Sequence, residues 1–260
     1  MATNPFDQQT VIPGVKKIIA VASGKGGVGK STLATNLALA LKDYGTVGLL
    51  DADIYGPSIP RMMGALNQKP IINSENQIEP LTRYGIKIMS MGFLIEESSA
   101  VVWRGPMLFK AMDQFFRDVQ WGNLDYLVID LPPGTGDIQL SLVQKVPVAA
   151  AVIVTTPQNI SLIDAKKAID MFERTGVKIA GVVENMSYML SESGEKIQLF
   201  PKGELDSYLK SKNLLKLAEV PFHTNVSLGS ESGVPIIESY SDSAEAVAIK
   251  EIAKKLRELL

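Results

Sequence analysis

Short runs of β-branched and aliphatic residues recur at Lys17–Ala22, Val47–Leu50, Tyr126–Ile129, Ala149–Val154 and Lys178–Val183. None alternates between apolar and polar positions. They are apolar on both faces, as strands buried in a parallel sheet are. Between them lie helix-like segments at Ser31–Lys42, Met107–Val119, Ser161–Thr175 and Ser243–Leu260. Strand and helix take turns, which predicts an α/β fold, a mostly parallel sheet with helices on both faces. The stretch Pro57–Gly92 breaks the rhythm with Pro60, Pro70, Pro80, Asn67, Asn73 and Asn76. It predicts loops with short strands, of which Ile86–Met89 rejoins the sheet. Ser191–Gly203 is polar and reads as a surface excursion. No repeat, low-complexity tract or dividing linker is present, so residues 17–260 read as a single domain after an N-terminal extension, residues 1–16.

Composition narrows the class. Of 260 residues, 46% are hydrophobic and 21% charged, an ordinary globular balance that needs no disulfide or metal to hold a core. With 26 Lys+Arg against 28 Asp+Glu, the net charge of −2 argues against a nucleic-acid-coating protein. Cysteine is absent, so no disulfide, thiolate nucleophile or Cys-ligated metal can come from these residues alone. Met1–Thr10 is polar and lacks the apolar core of a signal peptide. The most apolar stretch, Val146–Val154, is broken by Pro147 and falls far short of the ~20 residues that span a bilayer. The expectation is a cytoplasmic protein with neither nucleic acid nor membrane as partner.

The chemistry begins after the first strand. Gly24-Lys25-Gly26-Gly27-Val28-Gly29-Lys30-Ser31 satisfies the P-loop pattern G-x-x-x-x-G-K-[ST], between a predicted strand and a predicted helix. Glycines let the backbone turn tightly and aim successive N–H groups at phosphate oxygens, and the helix start that follows adds its dipole. Lys30 suits the β- and γ-phosphates, and the Ser31 hydroxyl suits Mg²⁺. Two further strand ends carry acids. Leu49-Leu50-Asp51-Ala52-Asp53 places two carboxylates where a parallel strand leaves the sheet, the end at which open α/β sheets bind ligands. Leu127-Val128-Ile129-Asp130 suits a Walker B strand, with Asp130 toward Mg²⁺; the following Leu131–Asp137 is glycine-rich enough to follow a γ-phosphate.

Lys25 is unusual for a generic P-loop, and GKGGVGKS resembles the deviant Walker A sequence of the MinD/ParA/nitrogenase-iron-protein class. Four further segments are similar to the Mrp/ApbC family of that class. They are Leu50–Ser58, Trp103–Met107, Leu124–Asp137 and Glu184-Asn185-Met186-Ser187-Tyr188. The resemblance spans nearly the whole chain and implies a P-loop NTPase fold and a homodimeric ATPase that carries or assembles iron–sulfur clusters for client or scaffold proteins. The alternative is a MinD/ParA-like positioning or partner-binding module that binds a surface or a partner in its ATP state. By motif, Gly24, Gly26, Gly27, Val28, Gly29, Lys30, Ser31 and Thr32 hold the ATP phosphates, and Lys25 reaches the partner's phosphates across the dimer. Ser31 and Asp130 serve Mg²⁺ with Asp51 nearby, and Asp53 orients the attacking water. Asn185 reads adenine, with Pro221 and Phe222 beside the base.

The chain departs from the family's pattern just after the last of these segments. Relatives usually carry Cys-x-x-Cys soon after the Glu-Asn-Met-Ser segment, where this chain has Met189–Gly194. Serine oxygens replace soft thiolates poorly, so a cluster ligated by this chain itself is not expected. His223, the single histidine, reads first as a surface or packing residue in a Pro-Phe-His loop. The apolar stripe Ile249, Ile252, Leu256 and Leu259 predicts a final helix packed on the sheet.

Overall fold

The computed structural model describes residues 9–54, 56–93 and 105–260, with the backbone alone described for 105–109. Tyr55, Trp103 and Arg104, which belong to the motifs above, lie outside the described residues. In chain order the elements begin with β1 (Val15–Ala22), α1 (Lys30–Leu41), β2 (Val47–Asp51), α2 (Ile59–Met62), β3 (Ile71–Ile72) and β4 (Ile78–Glu79). There follow β5 (Leu81–Arg83), β6 (Ile86–Ser90), α3 (Gly105–Arg117), β7 (Leu124–Asp130), α4 (Asp137–Lys145), β8 (Val148–Thr155) and α5 (Asn159–Thr175). The last part holds β9 (Ile179–Asn185), β10 (Met189–Leu190), β11 (Lys196–Ile197), α6 (Leu205–Lys212), β12 (Lys216–Val220), α7 (Thr224–Ser232), α8 (Ile236–Ser239) and α9 (Ala244–Leu259).

One eight-stranded sheet runs β12-β9-β8-β1-β7-β2-β6-β5, and every neighbouring pair is parallel except β5–β6. The five expected strands are all in it, together with Ile86–Met89, which pairs parallel to β2 as expected. Crossovers run one way from β1 to β2 and the other way from β7 through β8 and β9 to β12. Right-handed connections therefore put α1 on one face and α4, α5 and α6 on the other. The final helix α9 lies with α1 and β12, burying Ile249, Ile252 and Leu256 as its stripe requires. Reversal of direction beside β1 makes a crevice at the strands' C-terminal ends, where such sheets take ligands.

Three sequence-based boundaries move. The first strand starts at Val15, and Ile12 is buried in the core while the Thr10 amide donates to the Lys145 carbonyl at 2.6 Å, so part of the expected extension packs on the sheet. Strand β2 runs one residue further and takes in Asp51, and β7 takes in Asp130. The excursion at 191–203 is anchored by the β10–β11 hairpin and is largely exposed. Among the described residues no helix is long and apolar enough to cross a membrane.

Candidate nucleotide-binding site

Strand β1 ends at Ala22 and the chain enters α1 at Lys30 through the glycine-rich turn. Gly29, the residue that caps α1, has φ 85°, a left-handed conformation that costs an L side chain. A Cβ there would also sit 2.2 Å from the Asn185 Nδ2, so space and backbone both demand glycine. Asn185 ends β9, and its Nδ2 donates to the Val28 carbonyl at 2.8 Å, which ties the far strand to the turn. Ser23 Oγ donates to the Lys25 carbonyl at 2.8 Å, and the Gly134 amide donates to the Ser23 carbonyl at 3.1 Å. The second glycine-rich loop thus leans on the first. Gly26 and Gly27 are exposed, and Lys25 is half-buried.

Parallel register brings the acids together. Asp130 pairs with Val21 on one side and with Asp51 on the other. Lys30 Nζ lies 2.6 Å from Asp130 Oδ1 and 3.3 Å from Ser31 Oγ, with side chains 6% and 0% exposed for Lys30 and Asp130. Asp130 Oδ2 is buried and has no hydrogen-bond partner among the described residues. Burial pushes the Asp130 carboxyl above the ordinary range, with Asp53 adding repulsion, against the opposing pull of Lys30 and Ser31. Asp51 is pushed up to about 7, first by burial and then by repulsion from Asp130. Its oxygens are already engaged: Oδ1 accepts from the Asp53 amide at 3.1 Å, and Oδ2 from Ser90 Oγ at 2.9 Å and the Ile59 amide at 3.2 Å. Asp51 therefore pins the loop after β2. Asp53, buried on that loop, accepts from the Gly56 amide at 3.3 Å.

Among the described residues no three His, Cys, Asp or Glu side chains form a metal cage. Mg²⁺ does not ask for one, since it takes one or two protein oxygens and completes its shell with phosphate and water. The partnerless Asp130 Oδ2 and the neighbouring Ser31 hydroxyl fit that demand. Beyond the start of α1 opens a pocket of about 290 Å³ lined in part by Gly29, Thr32, Asn185, Met186, Pro221 and Phe222. The expected base-side residues do come together there, next to the phosphate turn. His223 is the cap of α7, its Nδ1 accepting from the Asn225 amide at 3.0 Å, so the packing role is accompanied by a pocket-lining one.

Sequence reasoning missed Ser90 and Gln139. Ser90 stands where the apolar run Ile86–Met89 ends, and the strand-end logic applied to Asp51 would have found it. Gln139 is buried on α4 and its Nε2 donates to the Pro132 carbonyl, bracing the second glycine-rich loop; nothing in the pattern marks it. In the segment after Glu184–Tyr188, Ser191 Oγ and Ser193 Oγ lie 2.8 Å apart and Ser191 Oγ also accepts from the Glu195 amide at 3.0 Å. Both hydroxyls are spent on the hairpin turn. That turn is joined to the base side by Ser187 N to Val220 O at 3.0 Å and Phe222 N to Tyr188 O at 2.7 Å.

The family model described as ParA, NUBPL iron-transfer P-loop NTPase, matches residues 14–257. The iron-sulfur cluster carrier protein of Aquifex aeolicus is 46% identical over 259 residues, 98% of this chain and 71% of that protein. Among solved structures, the nucleotide-binding protein from Archaeoglobus fulgidus in complex with ADP superposes with a TM-score of 0.74 at 38% identity, covering 85% of this chain and 88% of that one. The cell division ATPase MinD of Pyrococcus furiosus shares the fold, with a TM-score of 0.69 at 22% identity over 94% of this chain and 99% of its own. A glycine turn demanded by its neighbours, a buried Lys–Asp pair at the strand ends and a match over almost the full length agree: the chain belongs to the NUBPL-type, ParA-like family of iron-transfer P-loop NTPases.

Proposed function

We propose that this chain binds MgATP, hydrolyses it as a homodimer, and serves iron–sulfur cluster assembly without ligating the cluster through its own side chains. The buried pair of Lys30 and Asp130, poised between the glycine turn and Asp51, carries the reading. Arriving phosphate oxygens compete with Asp130 for the Lys30 ammonium, and the turn's backbone N–H groups cradle them. Ser31 and the Asp130 Oδ2 hold Mg²⁺, with Asp51 setting the loop between them and Asp53. When bound, Mg²⁺ supplies positive charge to the β- and γ-phosphate oxygens. Asp53 orients a water whose oxygen bonds to the γ-phosphorus as the bond to the β–γ bridging oxygen breaks; ADP departs with that electron pair, and the water's proton ends on inorganic phosphate. Lys25 of a second copy adds charge at the same phosphates. Asn185, Pro221 and Phe222 take the base.

The iron–sulfur cargo is the substrate of the assembly reaction and needs about four soft ligands. These 260 residues contain no cysteine, and Ser191 and Ser193 are bonded to each other. The thiolates therefore come from a partner protein or a small thiol. Phosphate release tests the first half: turnover is expected with Mg²⁺ and is expected to vanish in Lys30→Ala. Anaerobic reconstitution followed by desalting tests the second, with no retained iron or sulfide expected. Near-stoichiometric iron and acid-labile sulfide per dimer, in thiol-free buffer without a partner, overturns the cargo assignment.

A further inference from the structure

The pocket beside the phosphate turn has a wall that the family motifs do not account for. Helix α9 begins after Ser243, whose Oγ accepts from the Ala246 amide at 3.2 Å, and Glu245 stands in its first turn. Packing of Ala246 and Ile249 into the core pulls Glu245 inward, leaving it only 4% exposed. Glu245 lines the pocket, and among the described residues no hydrogen bond or ion pair reaches its carboxyl group. A largely buried carboxyl with no donor of its own gains most from a donor that enters the pocket. The other polar groups there are partly committed. Asn185 Nδ2 is spent on Val28, and His223 Nδ1 accepts from the Asn225 amide, which leaves the His223 Nε2 carrying the hydrogen. Thr32, Ser227 and Ser230 add hydroxyls to the lining, and Glu231 also lines it but is exposed and pairs with Arg61 at 3.7 Å. Glu245 and the Asn185 Oδ1 are the acceptors left over, and His223 is the ring donor.

We infer that Glu245 is the residue that selects the base, its carboxyl accepting a hydrogen bond from the exocyclic N6 amine of adenine. The inference rests on the nucleotide reading above and adds to it a specificity determinant on α9. Adenine meets the lining on its own terms: two N–H groups on N6 and ring nitrogens that accept. Guanine in the same pose turns the O6 acceptor toward the carboxyl and is rejected, because a site built around one hydrogen bond penalises the analogue that lacks it.

Calorimetry with MgATP, MgGTP and the Mg²⁺ complex of purine riboside triphosphate, which lacks only the N6 amine, tests this on the full chain. Glu245→Ala and the nearly isosteric Glu245→Met remove the acceptor, so a fold defect in one leaves the other informative. The wild-type chain is expected to prefer ATP over the amine-free analogue by roughly tenfold to a hundredfold. Both variants are expected to lose that preference while binding the analogue as the wild type does. Glu245→Gln, which keeps a carbonyl acceptor, is expected to retain most of it. A wild-type preference in either acceptor-free variant overturns the inference. So does an equal loss for both triphosphates, which marks a structural role, or wild-type binding of GTP as tight as ATP. Failure of the wild-type chain to bind any of the three overturns the nucleotide reading as well, which separates the two failures.

Discussion

Lys30→Ala damages more than nucleotide binding, because the ammonium it removes also neutralises a fully buried acid. Lys30 Nζ sits 2.6 Å from Asp130 Oδ1, and Asp51 faces Asp130 directly across the strand pair. Truncation leaves two adjacent buried carboxyls with their cation gone. Breaking a buried pair on one side costs about 3–5 kcal/mol, a large share of the ~5–15 kcal/mol that holds an ordinary domain. With a slope near 3 kcal/mol per molar urea, the unfolding midpoint falls by about 1–2 M. The deficit is pH-dependent, since Asp130 can relieve it by taking up a proton. Its folded-state carboxyl is already raised by burial, so the loss is expected to be larger at pH 8 than at pH 5. Adding Asp130→Asn to Lys30→Ala is expected to restore much of the stability at pH 8 and none of the MgATP affinity. Urea unfolding at both pH values and calorimetry on the single and double variants make the comparison. A single variant with the wild-type midpoint at pH 8, or a double variant no more stable than the single, refutes the argument.

Lys25→Ala and Asp53→Ala subunits are each expected to lose turnover, and mixed dimers to regain part of it, since one composite site then carries both lesions and the other neither; verified mixed dimers without recovery count against Lys25 acting across the interface. Gly29→Ala forces a Cβ against Asn185 at a left-handed φ, and is expected to cost about 1–2 kcal/mol of stability and to abolish MgATP binding; unchanged affinity refutes the close approach. Asp51, raised from 3.8 to about 7, keeps a proton in the folded chain that the unfolded chain has already lost. Its contribution to stability is full below about pH 4 and falls as pH rises to 7. Asp51→Asn is expected to flatten that part of the slope in magnesium-free denaturation, and a wild-type slope in the variant sinks the assignment.

Among the strands of the main sheet, the sequence showed those buried on both faces and missed the polar edge. Strand β12, Lys-Leu-Ala-Glu-Val, is an edge whose Lys216 and Glu219 bond to each other at 2.9 Å, so its charges hide a strand from any search for apolar runs. Helix α7, Thr-Asn-Val-Ser-Leu-Gly-Ser-Glu-Ser, has weak intrinsic preference and is set by the His223 cap and by packing on α2. The candidate site followed the same rule. Its phosphate turn and three acids lie in short local patterns and could be read directly. The pair of Lys30 and Asp130 joins residues 100 apart, and the pocket wall at Glu245 belongs to a helix whose placement only the folded chain reveals. Neither the order of the strands nor the reversal beside β1 is written in any one segment.

The level alignment of β1, β2 and β7 has a consequence for how the chain tolerates change. Val21, Asp130 and Asp51 are rung-mates, so the separation between the turn and its acids is fixed by the ~4.8 Å spacing of neighbouring strands. Connecting loops contribute nothing to that measurement. The Asn73–Gln77 turn, far from the rungs, can therefore accept inserted residues or a fused tag with activity preserved. A single residue inserted within β2 or β7 is a different matter: it flips every later side chain to the opposite face and turns an acid away from the Lys30 ammonium. Lineages and engineers alike have wide latitude in connections away from the site, such as the Asn73–Gln77 turn, and almost none inside two short strands.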